Sequence, residues 1–245
     1  MKSFLKFSFL ALLIFSFCSC NQPTEPLNSK ETESLNTKDE KRKQVEIITN
    51  YGSMLIELYD ETPLHRDNFI NLATNKAYDS LIFHRIIHEF MIQGGDPDSK
   101  RALASDTLGN GDAPYLVNAE FHKDLFHKKG VLAAARDDHP ERSSSAMQFY
   151  IVQGKIFNDS LLELTEKRIN KGMARRYFKN DISKKSLLDS IQYAGDHYDV
   201  LKERYNVLMD SILSLANTDE NFKSYVIPDN QREVYKTMGG TPHLD

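Results

Sequence analysis

The 245-residue sequence has only two cysteines, Cys18 and Cys20, both near its start. The remainder of the chain therefore has no disulfide to staple it and no thiolate cluster to hold a metal. A basic surplus is missing too: 31 Lys and Arg face 35 Asp and Glu, for a formal net charge of −4. That balance argues against a nucleic-acid partner, which favours a basic face. The apolar run from Phe7 to Phe17 is shorter than the roughly 20 residues a membrane-spanning helix needs. A Gly-x-Ser-x-Gly nucleophile elbow is also absent. With 40% hydrophobic residues, the chain can bury one good core, with room for an added subdomain.

The short apolar run has a use of its own. Lys2 and Lys6 precede it and Cys18-Ser19-Cys20 follows, the layout of an export signal. Its end resembles a bacterial lipoprotein signal, with Ser19 as the small residue before the cleavage point and Cys20 as the lipid acceptor. Residues 1–19 are therefore expected to be a signal peptide. Removing them takes Lys2 and Lys6 away and moves the formal charge from −4 to −6. The expected location is the bacterial cell envelope, lipid-anchored and facing the periplasm, or secreted if Cys20 is not lipidated. Residues 20–43 are rich in Asn, Pro, Ser, Thr, Glu and Lys. Too little apolar surface is present there to offset ordering entropy, so the segment is expected to be a flexible tether.

The globular pattern starts at Gln44. Val45 and Ile47, then Met54, Ile56 and Leu58, alternate with polar residues around Asn50-Tyr51-Gly52-Ser53, a hairpin pattern. Thr62-Pro63 predicts a helix start, with Thr62 as cap, a stripe of Phe69, Leu72 and Ala73, and an end near Asn75. Two strands flank His88-Glu89, and Gly94-Gly95 turns the chain out of the second. Residues 97–129 have loop composition, and 130–135 and 147–152 are strand-like. Residues 159–235 change texture. Leu161, Leu162, Thr165 and Ile169 form one helical stripe, Leu187, Ile191 and Ala194 a second, and Tyr198 to Leu215 a third. Gly195-Asp196 is expected to separate the last two, and Pro228-Asp229 to open a short final helix. This region is expected to be an inserted α-helical subdomain.

The stretch Phe83 to Asp96 concentrates the chemistry: Arg85 and Gln93 among Phe90, Met91 and three Ile. A guanidinium and an amide beside apolar groups suit an apolar substrate whose backbone must be gripped. His84 and His88 stand four apart, but strand-forming neighbours and the lack of a third ligand argue against zinc. Ser143-Ser144-Ser145 with nearby His139 is expected to be a polar loop, not a hydrolytic site.

Phe83-His-Arg-Ile-Ile-x-x-Phe-Met-Ile-Gln-Gly-Gly-Asp96 resembles the signature of the cyclophilins, the peptidyl-prolyl cis-trans isomerases. Asn68-Phe69, Gly130-Val-Leu-Ala133 and Gln148-Phe-Tyr-Ile151 match in order, so the resemblance covers 44–158 and resumes at 236–245. It implies a mainly β fold, an antiparallel β-barrel capped by two helices, with the helical stretch 159–235 inserted. It also implies roles. Arg85 is the catalytic arginine and Gln93 the amide that holds substrate backbone. Phe90, Met91, Gln148, Tyr150 and Leu244 wall the proline pocket, and Ala135 meets the peptide at its edge. Tyr150 stands where the family usually has Phe, Arg136 replaces an Asn, and His243 a Trp. No cofactor or metal is implied.

The family barrel continues past Leu244-Asp245 with two more strands and a helix, so the sequence is expected to be a fragment of a longer protein, the alternative being a degenerate member of the family. The implied activity is rotation about X–Pro bonds in proline-containing peptides and unfolded exported proteins. The alternative is a non-catalytic peptide-binding or chaperone module.

Overall fold

The computed structural model describes residues 42–242. The expected signal peptide, Cys20, nearly all of the tether and the His243–Asp245 end, with Leu244, lie outside the described residues.

Strands β1 (Gln44–Thr49) and β2 (Gly52–Glu57) form an antiparallel hairpin in which Val45 faces Ile56 and Ile47 faces Met54. Helix α1 (Pro63–Thr74) follows, with proline in its first turn and Phe69 and Leu72 buried. Its start differs from expectation. The Thr62 side chain makes no capping bond, and the carboxylate of Glu120 takes the backbone N–H groups of Leu64 and His65, each at 2.9 Å. An anion at a helix N-terminus satisfies two of its orphan donors and meets the positive end of the dipole.

Strands β3 (Arg85–Ile87) and β4 (Met91–Gly94) form the second hairpin, turning through His88-Glu89, with Glu89 at φ 57°. Glu89 is pinned there by Gln153 Oε1, which accepts from its backbone N–H at 3.0 Å, and by Lys155 at 3.1 Å. Residues 97–129 are mostly irregular, as expected, with a 3-10 turn at Pro97–Arg101 and a two-residue strand β5 (Leu116–Val117). Strands β6 (Leu132–Ala134), β7 (Ser144–Ser145) and β8 (Phe149–Val152) complete the strand-built half. The polar run Ser143–Ser145 thus contributes a short strand paired with β5.

The strands lie in three sheets, β1-β2, β3-β4-β8-β6 and β5-β7, and among the described residues they do not close into a barrel. One face of the four-stranded sheet carries Phe149 and Leu132 into a core with Leu58, Phe69, Ile56 and Tyr78. Phe69, Tyr78 and Phe83 surround Phe149 at ring centroid distances of 5.5, 5.6 and 6.1 Å, all near edge-to-face. Burial pushes the Tyr78 hydroxyl pKa well up.

The second half is helical: α2 (Asp159–Tyr177), α3 (Lys185–Asp196), α4 (Tyr198–Asn217) and α5 (Asp229–Thr237). Asn158 caps α2 by accepting from Leu161 N, and Pro228 precedes α5 as expected. Gly195-Asp196 closes α3 from inside its last turn, and the break falls at His197. The expected face of α4 is rotated slightly: Met209, Ile212, Leu213 and Ala216 are buried, whereas Tyr198 and Leu215 are exposed. A non-helical Leu201 (φ −109°, ψ 21°) interrupts the register near the start of α4. These side chains pack with Ala174, Phe178 and Ile191 in a second core, and a third gathers Leu162, Ile227 and Tyr235 against Phe126 and Phe157.

Candidate active site

Strand register assembles the site. Arg85 lies opposite Gln93 across β3 and β4, and Gln93 lies opposite Tyr150 across β4 and β8. Directly opposed residues share a sheet face, so these three form one row, with Met91 two positions along from Gln93. The other face is the Phe149 core, and a one-residue slip would exchange the two sets.

Arg85 Nη1 donates to Gln93 Oε1 at 3.1 Å, and Gln93 Nε2 donates to Gln148 Oε1 at 2.8 Å. Gln148 Nε2 then donates to the carbonyls of Gly109 (2.9 Å) and Gly111 (2.7 Å). Both ends of the Gln93 amide are therefore engaged within the protein. Gln93 thus holds Arg85, with one N–H and one oxygen lone pair left for a substrate backbone. Tyr150 stands 6.0 Å from the Phe90 ring, and its hydroxyl is 2.8 Å from His127 Nε2. Met91, Gln93 and Gln148 are buried, while Phe90 and Tyr150 are half-buried.

Arg85, Phe90, Met91, Gln93, Ala135, Gln148 and Tyr150 all line one cavity of about 1380 Å³. Leu244 is outside the described residues. The cavity exceeds a usual small-molecule pocket of roughly 300–1,000 Å³, because it runs on into the open side of the sheets. Ala135 lines this cavity with its backbone tied to two neighbouring residues. Its N–H donates to Gln148 O and its carbonyl accepts from Ser145 N, both at 2.9 Å, so only the second carbonyl lone pair remains for a peptide. Arg136 is exposed beside it, 5.8 Å from the Phe121 ring.

Two side chains that the motif did not reveal stand at the cavity rim. His65 Nδ1 is 2.7 Å from Glu120 Oε2, and His65 Nε2 is 2.9 Å from Ser144 Oγ. A carboxylate only accepts, so Nδ1 carries the proton and Nε2 faces the serine hydroxyl. This is the connectivity of a hydrolytic triad, with His65 in place of His139, but the surroundings oppose that use. Ser144 is only 5% exposed. The backbone N–H groups of Ser145, Ala146, Met147 and Gln148 are spent on Ala135 O, Asp112 and Ser145 Oγ, which leaves none of them for an oxyanion. The trio acts as a clamp between α1 and β7, and a nearby carboxylate in sequence would not have identified it, since Glu120 is 55 positions from His65. Burial alone would raise the Glu120 carboxyl; the bonds from Leu64 N–H, the His65 ring and His65 N–H outweigh it and hold it below the usual carboxylate range. Among the described residues no group of three metal-ligating side chains occurs, and both ring nitrogens of His84 are buried without a protein partner.

The profile of the family described as "Cyclophilin type peptidyl-prolyl cis-trans isomerase/CLD" matches residues 44–197. A Schizosaccharomyces pombe peptidyl-prolyl cis-trans isomerase is 38% identical over 108 residues, 44% of this chain and 65% of its own length. A Rhizopus delemar "Peptidyl-prolyl cis-trans isomerase-like 2" is 48% identical over 122 residues, 49% of this chain and 22% of its own. The chain thus spans less than two thirds of the length of these relatives. Among solved structures, a Cryptosporidium parvum cyclophilin crystallised in the presence of the dipeptide Ala-Pro is 31% identical, with 46% of this chain and 68% of that one covered and a TM-score of 0.40. Matched over more than half of its residues, the chain belongs to the cyclophilin-type peptidyl-prolyl cis-trans isomerase family.

Proposed function

We propose that the protein catalyses cis-trans rotation about X–Pro bonds in peptides and unfolded exported proteins. The observation that carries this is the row Arg85-Gln93-Tyr150 on one sheet face, above a cavity walled by Phe90 and Met91. Amide resonance sets the rotation barrier near ~20 kcal/mol. Twisting returns a lone pair to the prolyl nitrogen, a new acceptor that exists only near the transition state. Gln93 takes one of the five N–H donors of Arg85 and so aims the guanidinium without exhausting it. A hundred-thousand-fold acceleration requires roughly 7 kcal/mol of selective stabilisation. A charge-assisted hydrogen bond plus a fixed ring in a sheltered pocket is of that order. Conversion of a cis X–Pro peptide, compared between wild type and Arg85→Ala, tests the assignment. A loss of about a hundredfold or more is expected, and equal rates would refute it.

The breadth of the cavity favours a second reading, a non-catalytic module that binds proline-containing segments in the open cleft. Peptide affinity without any acceleration in the same assay would select it.

We further propose that residues 159–235 are a helical subdomain inserted into the family domain. Its support is the pairing of Gly240 with Lys155, two bonds of 3.0 Å, next to a bridge from Gly240 to Lys128. The chain leaves and rejoins the strand-built half at one point. Envelope anchoring through Cys20 rests on the signal-like sequence alone. Detergent-phase partitioning that survives Cys20→Ser would sink it.

A further inference from the structure

The amide chain Arg85-Gln93-Gln148 has a direction, and that direction has a cause. Carbonyl oxygens only accept. Gly109 O and Gly111 O therefore oblige Gln148 to present its NH2 to them and its oxygen to Gln93. Gln93 must then present its own NH2 to Gln148, which leaves its oxygen for the guanidinium. If the two carbonyls moved away, the Gln148 amide could turn over. Gln93 would follow, and an NH2 group would confront Arg85.

Two carboxylates hold those carbonyls. Asp96, fully buried, accepts from Asp98 N at 2.8 Å with one oxygen, and from Gly109 N and Gly111 N (3.4 Å) with the other. Asp112, next along the loop, accepts from Met147 N at 2.8 Å and Ala146 N at 3.3 Å. It thereby ties the carbonyl loop to the very segment that leads into Gln148. Asn68 holds the same segment from the opposite side through Ala146 O at 2.7 Å. Gly111 is part of the fit: a Cβ there would come within 2.2 Å of Asp96 Oδ1.

We infer that Asp96 and Asp112 are positioning residues for Arg85, setting the polarity of the Gln148-Gln93 relay through the Gly109 and Gly111 carbonyls. The inference rests on the isomerase reading above, in which Arg85 touches the reacting bond. Neither carboxylate is bonded to Arg85; both act through two amides and a loop.

The test uses Asp112→Asn, Gly111→Ala, Arg85→Ala and the double variant Asp112→Asn/Arg85→Ala in the full chain. An Asn at 112 puts a donor against backbone N–H groups, while Ala at 111 attacks the same link from the Asp96 side. Misplacing a catalytic group by about 1 Å costs on the order of a hundredfold, so kcat should fall ten- to a hundredfold with KM within about twofold. In the Arg85→Ala background, adding Asp112→Asn should cost no more than about twofold further, because no arginine is left to misplace. Losses that multiply independently would overturn the inference. A second readout does not depend on turnover: the Arg85 guanidinium N–H resonances, expected to be sharp in wild type because Nη1 is held by Gln93, should broaden or shift in Asp112→Asn and Gly111→Ala. Unchanged resonances refute the relay. If wild type shows no X–Pro conversion, the isomerase reading fails separately, and these resonances alone decide whether the relay orders Arg85. Should Asp112→Asn fail to fold, Gly111→Ala carries both measurements.

Discussion

Replacing Glu120 with Gln gives a sharp test of how the cavity rim is held. The carboxylate accepts three hydrogen bonds, from Leu64 N, His65 N and His65 Nδ1, at 2.9, 2.9 and 2.7 Å. The amide of Gln can place its oxygen where Oε2 stands and keep the two His65 bonds without their charge, while its NH2 meets the Leu64 N–H and that bond is lost. Bonds to an ionised group contribute roughly 1.5–3 kcal/mol each and neutral ones about 1, so one bond lost and two weakened put the loss at about 3 kcal/mol. For a chain of this size that is a fall of roughly 6–12 °C in Tm. Urea or thermal unfolding at pH 7 measures it. The pH dependence gives the second half of the test. The folded Glu120 carboxyl titrates below its unfolded value. Its contribution is therefore complete above the unfolded carboxylate pKa of about 4.3 and is lost as pH falls through the folded value. The gap between wild type and Glu120→Gln should close over that descent. A loss under about 1 kcal/mol at pH 7, against one bond lost and two weakened, or a gap that stays constant into acid, would show that the carboxylate does not hold α1 to β7.

Gly95→Ala should cost about 3 kcal/mol or more, since Gly95 has φ +96° and a Cβ there would sit 2.1 Å from Met147 O; denaturant unfolding checks this, and a neutral variant would contradict the close approach. Ile191→Ala, at a fully buried position between α2 and α4, should destabilise by roughly 3 kcal/mol. Hydrogen exchange should place that loss in the helices, while X–Pro conversion at 10 °C stays within twofold. Parallel loss of turnover there would contradict the separation of the two cores.

Legibility in the sequence followed the range of the interactions. The Phe83–Asp96 hairpin was readable because its strands, turn and register are set within fourteen neighbouring residues, and the register alone brings Arg85 to Gln93. The helices were readable from their stripes, although the α4 face was misjudged by a step where Leu201 leaves helical geometry. Thr62 looked like a sufficient cap, yet a carboxylate from a distant loop supplies the bonds. His65, Glu120 and Ser144 meet across 55 and 79 positions, and no local pattern encodes such a meeting. The engagement of Gln93 by Gln148 was equally hidden, because it depends on carbonyls in an irregular loop.

The junction of Lys155 with Gly240 also bears on the order in which the chain folds. In an unfolded chain these two residues are far apart in sequence, and bringing such ends together carries a loop-closure entropy that grows with length. The contacts of α3 with α4 and of α2 with α4 all fall within residues 159–217 and are expected to form early. Once they form, the long separation contracts to a short gap between two anchored ends. The sheet can then recruit Gly240 and Thr241 against His127, Lys128 and Lys155 nearly as if they followed directly in sequence. Under the proposed insertion, the helices are expected to serve the strand-built half as a prefolded bridge, with little slowing of its closure.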